Sequence, residues 1–241
     1  MIANHWTSSI QNLFDKHRTE SRILVIFVAV LAAVFVFMKA ASEVVEGDTL
    51  AVDRAIVVGL RVPGDLGRPL GPDWLREAMI DVTSLGSTTV LTLVTVLAVG
   101  FLLIARKPAL SLFTAVAIAG GALLETTLKA IYARTRPDVV EQLVGVHSNS
   151  FPSGHATNSA IVYLTLAVLI ARTTNNRAVR VYLISSAILL TLVVGCSRVY
   201  LGVHWPTDVM AGWGVGGVWA ALCSLIAKSL QSQHKLDAEH R

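Results

Sequence analysis

An all-α, polytopic membrane protein is the fold class this sequence predicts, and three observations predict it. The 241-residue chain is 54% hydrophobic and only 15% charged, against about 25% charged residues in an average soluble domain. Mean hydropathy is +0.62. The apolar residues fall in blocks, each near the ~20 residues a helix needs to cross ~30 Å of hydrocarbon. The length suits a single domain, residues 1–241, because a membrane bundle needs no separate soluble core.

Six transmembrane helices are expected. The first, 22–41, follows Lys16, Arg18 and Arg22. It reads as a retained anchor and not a cleaved signal peptide, because Lys39 follows directly and no small-x-small cleavage site appears. A long loop, 42–83, comes next. Leu50 to Leu60 and Trp74 to Val82 carry apolar residues at helical period with charges between them. Pro72-Asp73 suits a helix start. These segments read either as amphipathic helices on the membrane surface or as a solvated loop with some order. The second and third spans are 84–105 and 109–131. The fourth, 156–172, has the shortest apolar core, and the fifth is 180–200. The sixth, 208–228, holds Gly212, Gly214, Gly216 and Gly217, small residues that let helices approach closely within a bundle.

Charge sets the expected orientation. Arg106-Lys107 joins spans two and three, Arg172, Arg177 and Arg180 join four and five, and Lys228, Lys235 and Arg241 follow the sixth. With six spans these lie on one side, with both termini, and that side is cytoplasmic. The loops after spans one, three and five then face the periplasm or exterior of a bacterial inner membrane. The net charge of +4 comes from dispersed basic residues and not from a basic stripe, so no nucleic-acid partner is expected. Cys196 and Cys223 fall inside spans and read as small apolar packers.

Three polar clusters interrupt the apolar chain near span ends. Lys129 and Arg136 are seven residues apart, so they are expected on one helical face, with Arg136-Pro137 ending the helix. Taken alone, two such cations suit snorkelling to lipid headgroups. Pro152-Ser153-Gly154-His155 precedes span four, where free N–H groups and a partial positive charge favour an anion. Ser153 alone would be an ordinary N-cap, which leaves His155 unexplained. Ser197-Arg198 ends span five, and His204 and Asp208 follow at a spacing that lets the carboxylate orient the imidazole. The bland reading there is a capping Asp beside an interfacial His. Independent caps and snorkellers have no reason to share a face, and span counting puts all three clusters on one. Glu125, one turn before Lys129, is expected to pair with it. Tyr200 and Trp205 are expected in the interfacial aromatic belt, and His147 on the surface.

Together, Lys129-x6-Arg136-Pro137, Pro152-Ser153-Gly154-His155 and Ser197-Arg198-x5-His204-x3-Asp208 resemble the three signature motifs of the type 2 phosphatidic acid phosphatase (PAP2) superfamily. The resemblance covers the region of about 109–228, and three ordered motifs make it specific. It implies that His204 attacks phosphorus to form a phosphohistidine, with Asp208 holding its ring. His155 then protonates the leaving alkoxide and later activates water. Lys129, Arg136 and Arg198 would bind the phosphoryl oxygens with Ser153 and the Gly154 amide. Phosphoryl transfer depends mostly on positioning and charge stabilisation, and three cations can supply what Mg²⁺ supplies elsewhere, so neither metal nor cofactor is expected.

The expected function is hydrolysis of a lipid phosphate monoester or diphosphate from the outer leaflet. By resemblance the candidate substrates are phosphatidylglycerophosphate, phosphatidic acid, undecaprenyl diphosphate and lipid A phosphate. A lipid phosphotransferase using the same phosphohistidine is the nearest alternative. An anionic-lipid transporter would use the cations but has no need of a His–Asp pair beside a second His. Specificity is expected to reside in the loop from Asp138 to Ser150 and in the surface helices of the first loop.

Overall fold

The computed structural model describes residues 37, 41–42, 49–146 and 148–232. The expected span at 22–41 lies almost wholly outside the described residues, as do His147, Lys235 and Arg241. In chain order come α1 (Leu50–Gly59), β1 (Arg61–Val62), β2 (Asp65–Pro69), α2 (Asp73–Ser84), α3 (Thr88–Ile104), α4 (Pro108–Ile131), α5 (Gly154–Ala171), α6 (Arg177–Tyr200) and α7 (Pro206–Ser232).

Helices α4 to α7 are each long and apolar enough to cross a membrane, and they match the four expected spans from 109 onward to within four residues at either end. Helices α2 and α3 meet the same test only as a pair bent by 49°. Four spans, or five with the bent pair, therefore stand among the described residues. The expected start of a span at 84 is too early. Helix α2 runs through Ser84, and α3 begins after Ser87, whose hydroxyl accepts the Val90 N–H at 3.3 Å as an N-cap.

Both stretches with helical periodicity in the first loop are helices. The β1–β2 hairpin between them was not anticipated, although Val62-Pro63-Gly64-Asp65 carries the Pro-Gly signal of a turn. Gly64 takes φ +88°, a conformation glycine adopts without strain. The hairpin delivers Arg61 to a fully buried position, where Nη1 donates to the Tyr200 carbonyl at 2.9 Å. A cation there complements the C-terminal end of α6, while burial lowers its pKa from the ordinary arginine value.

Helix α5 is the central element, packed chiefly on α7 and α6. The sixth-span glycines divide by role. A Cβ on Gly212 would stand 3.0 Å from the Ala156 methyl and from the Ser153 carbonyl, and one on Gly216 would meet Ala160 and the Thr157 carbonyl. Gly214 and Gly217 face open space. The pair spaced by four residues is thus the contact stripe within the bundle. Gly216→Val is expected to destabilise the fold by about 1–3 kcal/mol through overpacking, read as a lower thermal midpoint in detergent. A π-helical turn at Ala160–Leu164 lies against this stripe, and such turns occur often near functional sites. Cys223 is buried as expected, but Cys196 is exposed on α6.

At one end of the bundle the loops fold over the α6–α7 turn. Val57 of α1, Val140 and Trp205 form one buried cluster, and Leu75 and Met79 of α2 pack with Leu143 on Tyr200, Leu201 and Val203. This corrects the expectation that Tyr200 and Trp205 belong to an interfacial belt. Both are buried, and each finds a carbonyl: Tyr200 Oη donates to Leu70 at 2.8 Å and Trp205 Nε1 to Thr135 at 3.2 Å.

Candidate active site

The three polar clusters converge at this end of the bundle. His204 sits in the short α6–α7 turn with 1% exposure. Its Nδ1 faces Asp208 Oδ2 at 3.4 Å, and Arg136 Nη1 approaches Nε2 at 3.1 Å. A guanidinium can only donate, so Nε2 is the accepting nitrogen and Nδ1 carries the proton. Burial first, then the charges of Arg136 and Arg198, push the His204 pKa down to about 4, against the pull of Asp208. The ring is therefore neutral at pH 7, with Nε2 unprotonated and its lone pair held by Arg136 Nη1, a donor that a phosphoryl oxygen could draw away.

Asp208 starts α7 and is wholly buried. Its Oδ2 accepts from the Trp205 N–H at 2.9 Å and, in a short contact, from Ser150 Oγ. Its Oδ1 accepts from Arg134 Nη1 at 2.6 Å. The backbone ties this element to the Pro152-Ser153-Gly154-His155 cluster, because the Ser153 N–H donates to the Asp208 carbonyl at 3.0 Å.

Ser153 occupies the N-cap position of α5, yet its hydroxyl makes no cap bond. It is buried with no hydrogen-bond partner among the described residues. Such an orphan costs free energy unless a ligand satisfies it. Gly154 leaves the helix end open: a Cβ there would lie 2.7 Å from Glu125 Oε1 and 3.0 Å from Lys129 Nζ. Gly154→Ala is expected to displace this pair and raise KM about tenfold, an effect of about 1.4 kcal/mol, measured against thermal stability in the same preparation.

The cations reach the site differently from expectation. Helix α4 ends at Ile131, so Lys129 and Arg136 do not share a helical face. The carbonyls of Arg134 and Thr135 bond to the Ser150 N–H and to Trp205 Nε1 instead of continuing the helix. The two cations still meet, because Lys129 Nζ and Arg136 Nη2 each donate to Ser148 Oγ at 3.2 Å. Arg136 is further anchored through Nε to the Ser148 carbonyl and through Nη1 to the Val203 carbonyl, each at 2.7 Å. Burial lowers the Arg136 pKa, with Asp208 opposing. Glu125 pairs with Lys129 at 3.4 Å, as expected. Arg198 projects from α6 with 3% exposure and donates to Thr83 Oγ1 at 2.9 Å, while its Nε has no partner among the described residues.

His155 lines one cleft with Lys129, Ser148 and Gly154, and Arg136 links Ser148 to His204, so all three clusters meet at this end of the bundle. A cleft of about 600 Å³ opens there, lined by Glu125, Lys129, Ser148, Asn149, Gly154 and His155. It shares Thr88 and Asn158 with an apolar groove of about 270 Å³, lined by Leu91, Ile118 and Ile161 among others, between α3 and α4. Among the described residues no group of three or more His, Cys, Asp or Glu could hold a metal ion. Sequence reasoning missed Ser150, Arg134 and Asp53. Arg134 and Ser150 stand inside or beside the quoted motifs, so proximity was a usable signal; nothing in the sequence marked Asp53.

The PAP2 superfamily model matches residues 108–231. The chain is 37% identical over 147 residues to phosphatidylglycerophosphatase B of Bacillus subtilis, covering 59% of this chain and 70% of that protein. It is 35% identical over 125 residues to lipid A 1-phosphatase of Rhizobium etli, covering 48% of each. The crystal structure of a transmembrane PAP2-type phosphatidylglycerolphosphate phosphatase from Bacillus subtilis superimposes with a TM-score of 0.76 at 28% identity, over 83% of this chain and 96% of that one. With the family model matched over more than half its length and the same fold in a solved relative, this chain belongs to the PAP2 superfamily.

Proposed function

We propose that this protein is a membrane lipid phosphatase, a single domain that hydrolyses a lipid phosphate monoester or diphosphate through a phosphohistidine. The observation that carries the reading is the buried Ser153 hydroxyl, without a partner among the described residues, at the start of α5 next to His155 and tied through its N–H to the Asp208 carbonyl. A buried hydroxyl donor at a helix N-terminus near several cations suits an anion.

In the first step His204 Nε2 attacks phosphorus, the bond from phosphorus to the lipid oxygen breaks, and His155 gives its proton to the departing alkoxide. The substrate phosphate brings the counter-charge that lets an imidazolium stand among three cations. Lys129, Arg136, Arg198, Ser153 Oγ and the Gly154 N–H stabilise the charge on the equatorial oxygens. Asp208 keeps the Nδ1 proton in place and compensates the charge that develops on the ring. In the second step neutral His155 takes a proton from water, the water oxygen bonds to phosphorus, and the P–N bond returns its electron pair to Nε2.

The apolar groove that joins the cleft at Thr88 and Asn158 supports a substrate whose tail stays among hydrocarbon while the headgroup enters. Arg106 and Lys107, and Arg172, Arg177 and Arg180, lie at the helix ends away from the site. By the positive-inside rule this distribution supports a site on the periplasmic or exterior side. Phosphatidylglycerophosphate, phosphatidic acid, undecaprenyl diphosphate and lipid A phosphate are the candidate headgroups.

Purified protein in detergent, offered this panel with and without chelator, is expected to release inorganic phosphate in both conditions. Phosphate recovered on another lipid hydroxyl would convert the reading to a phosphotransferase, and no phosphate transfer from any substrate would defeat it. The acid limb of kcat/KM should fall well below the ordinary histidine value of 6.5, because His204 stays neutral until about pH 4. Protonating Nε2 removes the nucleophile, so activity declines as pH falls through that value. The substrate's own ionisation near about pH 6 is separated by titrating the lipid alone.

A further inference from the structure

Arg134 lies outside the proposed catalytic set, yet it makes the shortest ion pair of the site among the described residues. Its Nη1 donates to Asp208 Oδ1 at 2.6 Å and to Thr207 Oγ1 at 2.9 Å, and its Nη2 donates to Asp53 Oδ2 at 2.9 Å. The guanidinium lies 5.6 Å from the centre of the Trp205 ring. Asp53 stands on α1 with 1% exposure. Besides Arg134 it grips Thr207, in the first turn of α7, through the Thr207 N–H at 3.0 Å and Thr207 Oγ1 at 2.6 Å.

The Asp208 contact with His204 Nδ1 is long, at 3.4 Å. The ring's orientation thus depends on how firmly Asp208 is fixed by its other partners. Ser150 and the Trp205 N–H are neutral donors on Oδ2, and Arg134 is the cation on Oδ1. Without Arg134, two buried carboxylates, Asp53 and Asp208, would share this space with no cation between them. An arginine suits the place because its planar fork reaches both acids at once, which a lysine cannot do.

We propose that Arg134, itself set by Asp53, is a positioning residue for the Asp208–His204 pair, so that helix α1 of the first loop is a working part of the site. This rests on the reading of His204 as the nucleophile. A positioning residue acts on the chemical step and leaves the cradle of Lys129, Arg136, Arg198 and Ser153 untouched. Loss is therefore expected in kcat and not in KM.

The test compares Asp53→Asn, Arg134→Lys and the double variant with His204→Ala, all as full-length protein in detergent with a lipid phosphate that the wild type hydrolyses. Folded fraction is followed by size exclusion and thermal midpoint. Asp53→Asn and Arg134→Lys are each expected to lower kcat about tenfold or more, with KM within about twofold. Because Asp53 acts through Arg134, the double variant should fall little below the worse single one, a non-additive cycle. Should Arg134→Lys not fold, Asp53→Asn carries the test alone, since it preserves shape and leaves Arg134 with Asp208. Wild-type kcat in the folded variants would overturn the proposal. So would a loss that resides wholly in KM, or one that only tracks the folded fraction. Full activity in His204→Ala would remove the nucleophile reading together with this one. An inactive His204→Ala beside normal Asp53 and Arg134 variants would remove this inference alone.

Discussion

His204→Ala is expected to lose turnover by at least about 10⁴-fold, about 5.5 kcal/mol of barrier, with the fold retained. The ring is buried and its removal leaves a cavity, so some stability is lost as well. Its hydrogen-bond partners Asp208 and Arg136 keep other anchors in Ser150, the Trp205 N–H, Arg134 and backbone carbonyls. The measurement is phosphate release by folded protein, and normal rates in a monodisperse His204→Ala preparation would sink the mechanism. His155→Ala separates the two half-reactions. With a lipid alkoxide as leaving group, loss of the general acid slows the first step by about 10²–10⁴-fold. A nitrophenyl ester needs no such proton, so phosphorus should transfer to His204 and stall there. An acid-labile phosphoenzyme that accumulates with one equivalent of nitrophenol is the expected signature. A nitrophenol burst without bound phosphorus would place the covalent step elsewhere.

Arg198→Met carries an expectation with two opposite signs. Arg198 is 3% exposed, has no acidic partner among the described residues and leaves Nε unsatisfied. Losing its bond to Thr83 Oγ1 costs about 1 kcal/mol. Removing a buried, uncompensated cation from beside two others returns several kcal/mol by the usual cost of such charges, about 2–5 kcal/mol. The unliganded variant is thus expected to melt at a higher temperature than wild type. Activity should nevertheless fall about 10²–10³-fold, because in the proposed mechanism Arg198 donates to the phosphoryl oxygens. Orthophosphate or vanadate should raise the melting temperature of wild type and leave the variant where it is. A variant that melts lower and still responds to orthophosphate would show that Arg198 serves the scaffold and not the anion.

What could be read in the sequence follows from the distance over which each interaction acts. The α4–α7 spans were legible because hydropathy and length are properties of one contiguous segment. The pairing of Glu125 with Lys129 was legible for the same reason, since it lies one helical turn away. The end of α4 was misjudged because Pro137 only biases its neighbour, whereas the helix stops at Ile131 and the segment beyond it is held by Arg134 and Thr135 carbonyls that accept from Ser150 and Trp205. Those partners lie in other segments. Asp53 was invisible on similar grounds: its ion pair with Arg134 spans 81 residues, and an aspartate beside Arg54 in an otherwise apolar helix resembles the polar edge of any surface helix. Tyr200 and Trp205 look like interfacial aromatics by position alone, and only the loops that close over them bury them.

The junction of polar cleft and apolar groove changes what concentration means for this protein. For a substrate whose chain lies in the groove between α3 and α4, encounter takes place by lateral diffusion in two dimensions. The quantity that sets the rate is then the mole fraction of the phosphorylated lipid in its leaflet, and adding inert lipid slows the reaction at constant bulk amount. If the proposed substrate seats its chain there, a headgroup cut from that chain is expected to bind more weakly, and the proximity of site and bilayer becomes part of specificity.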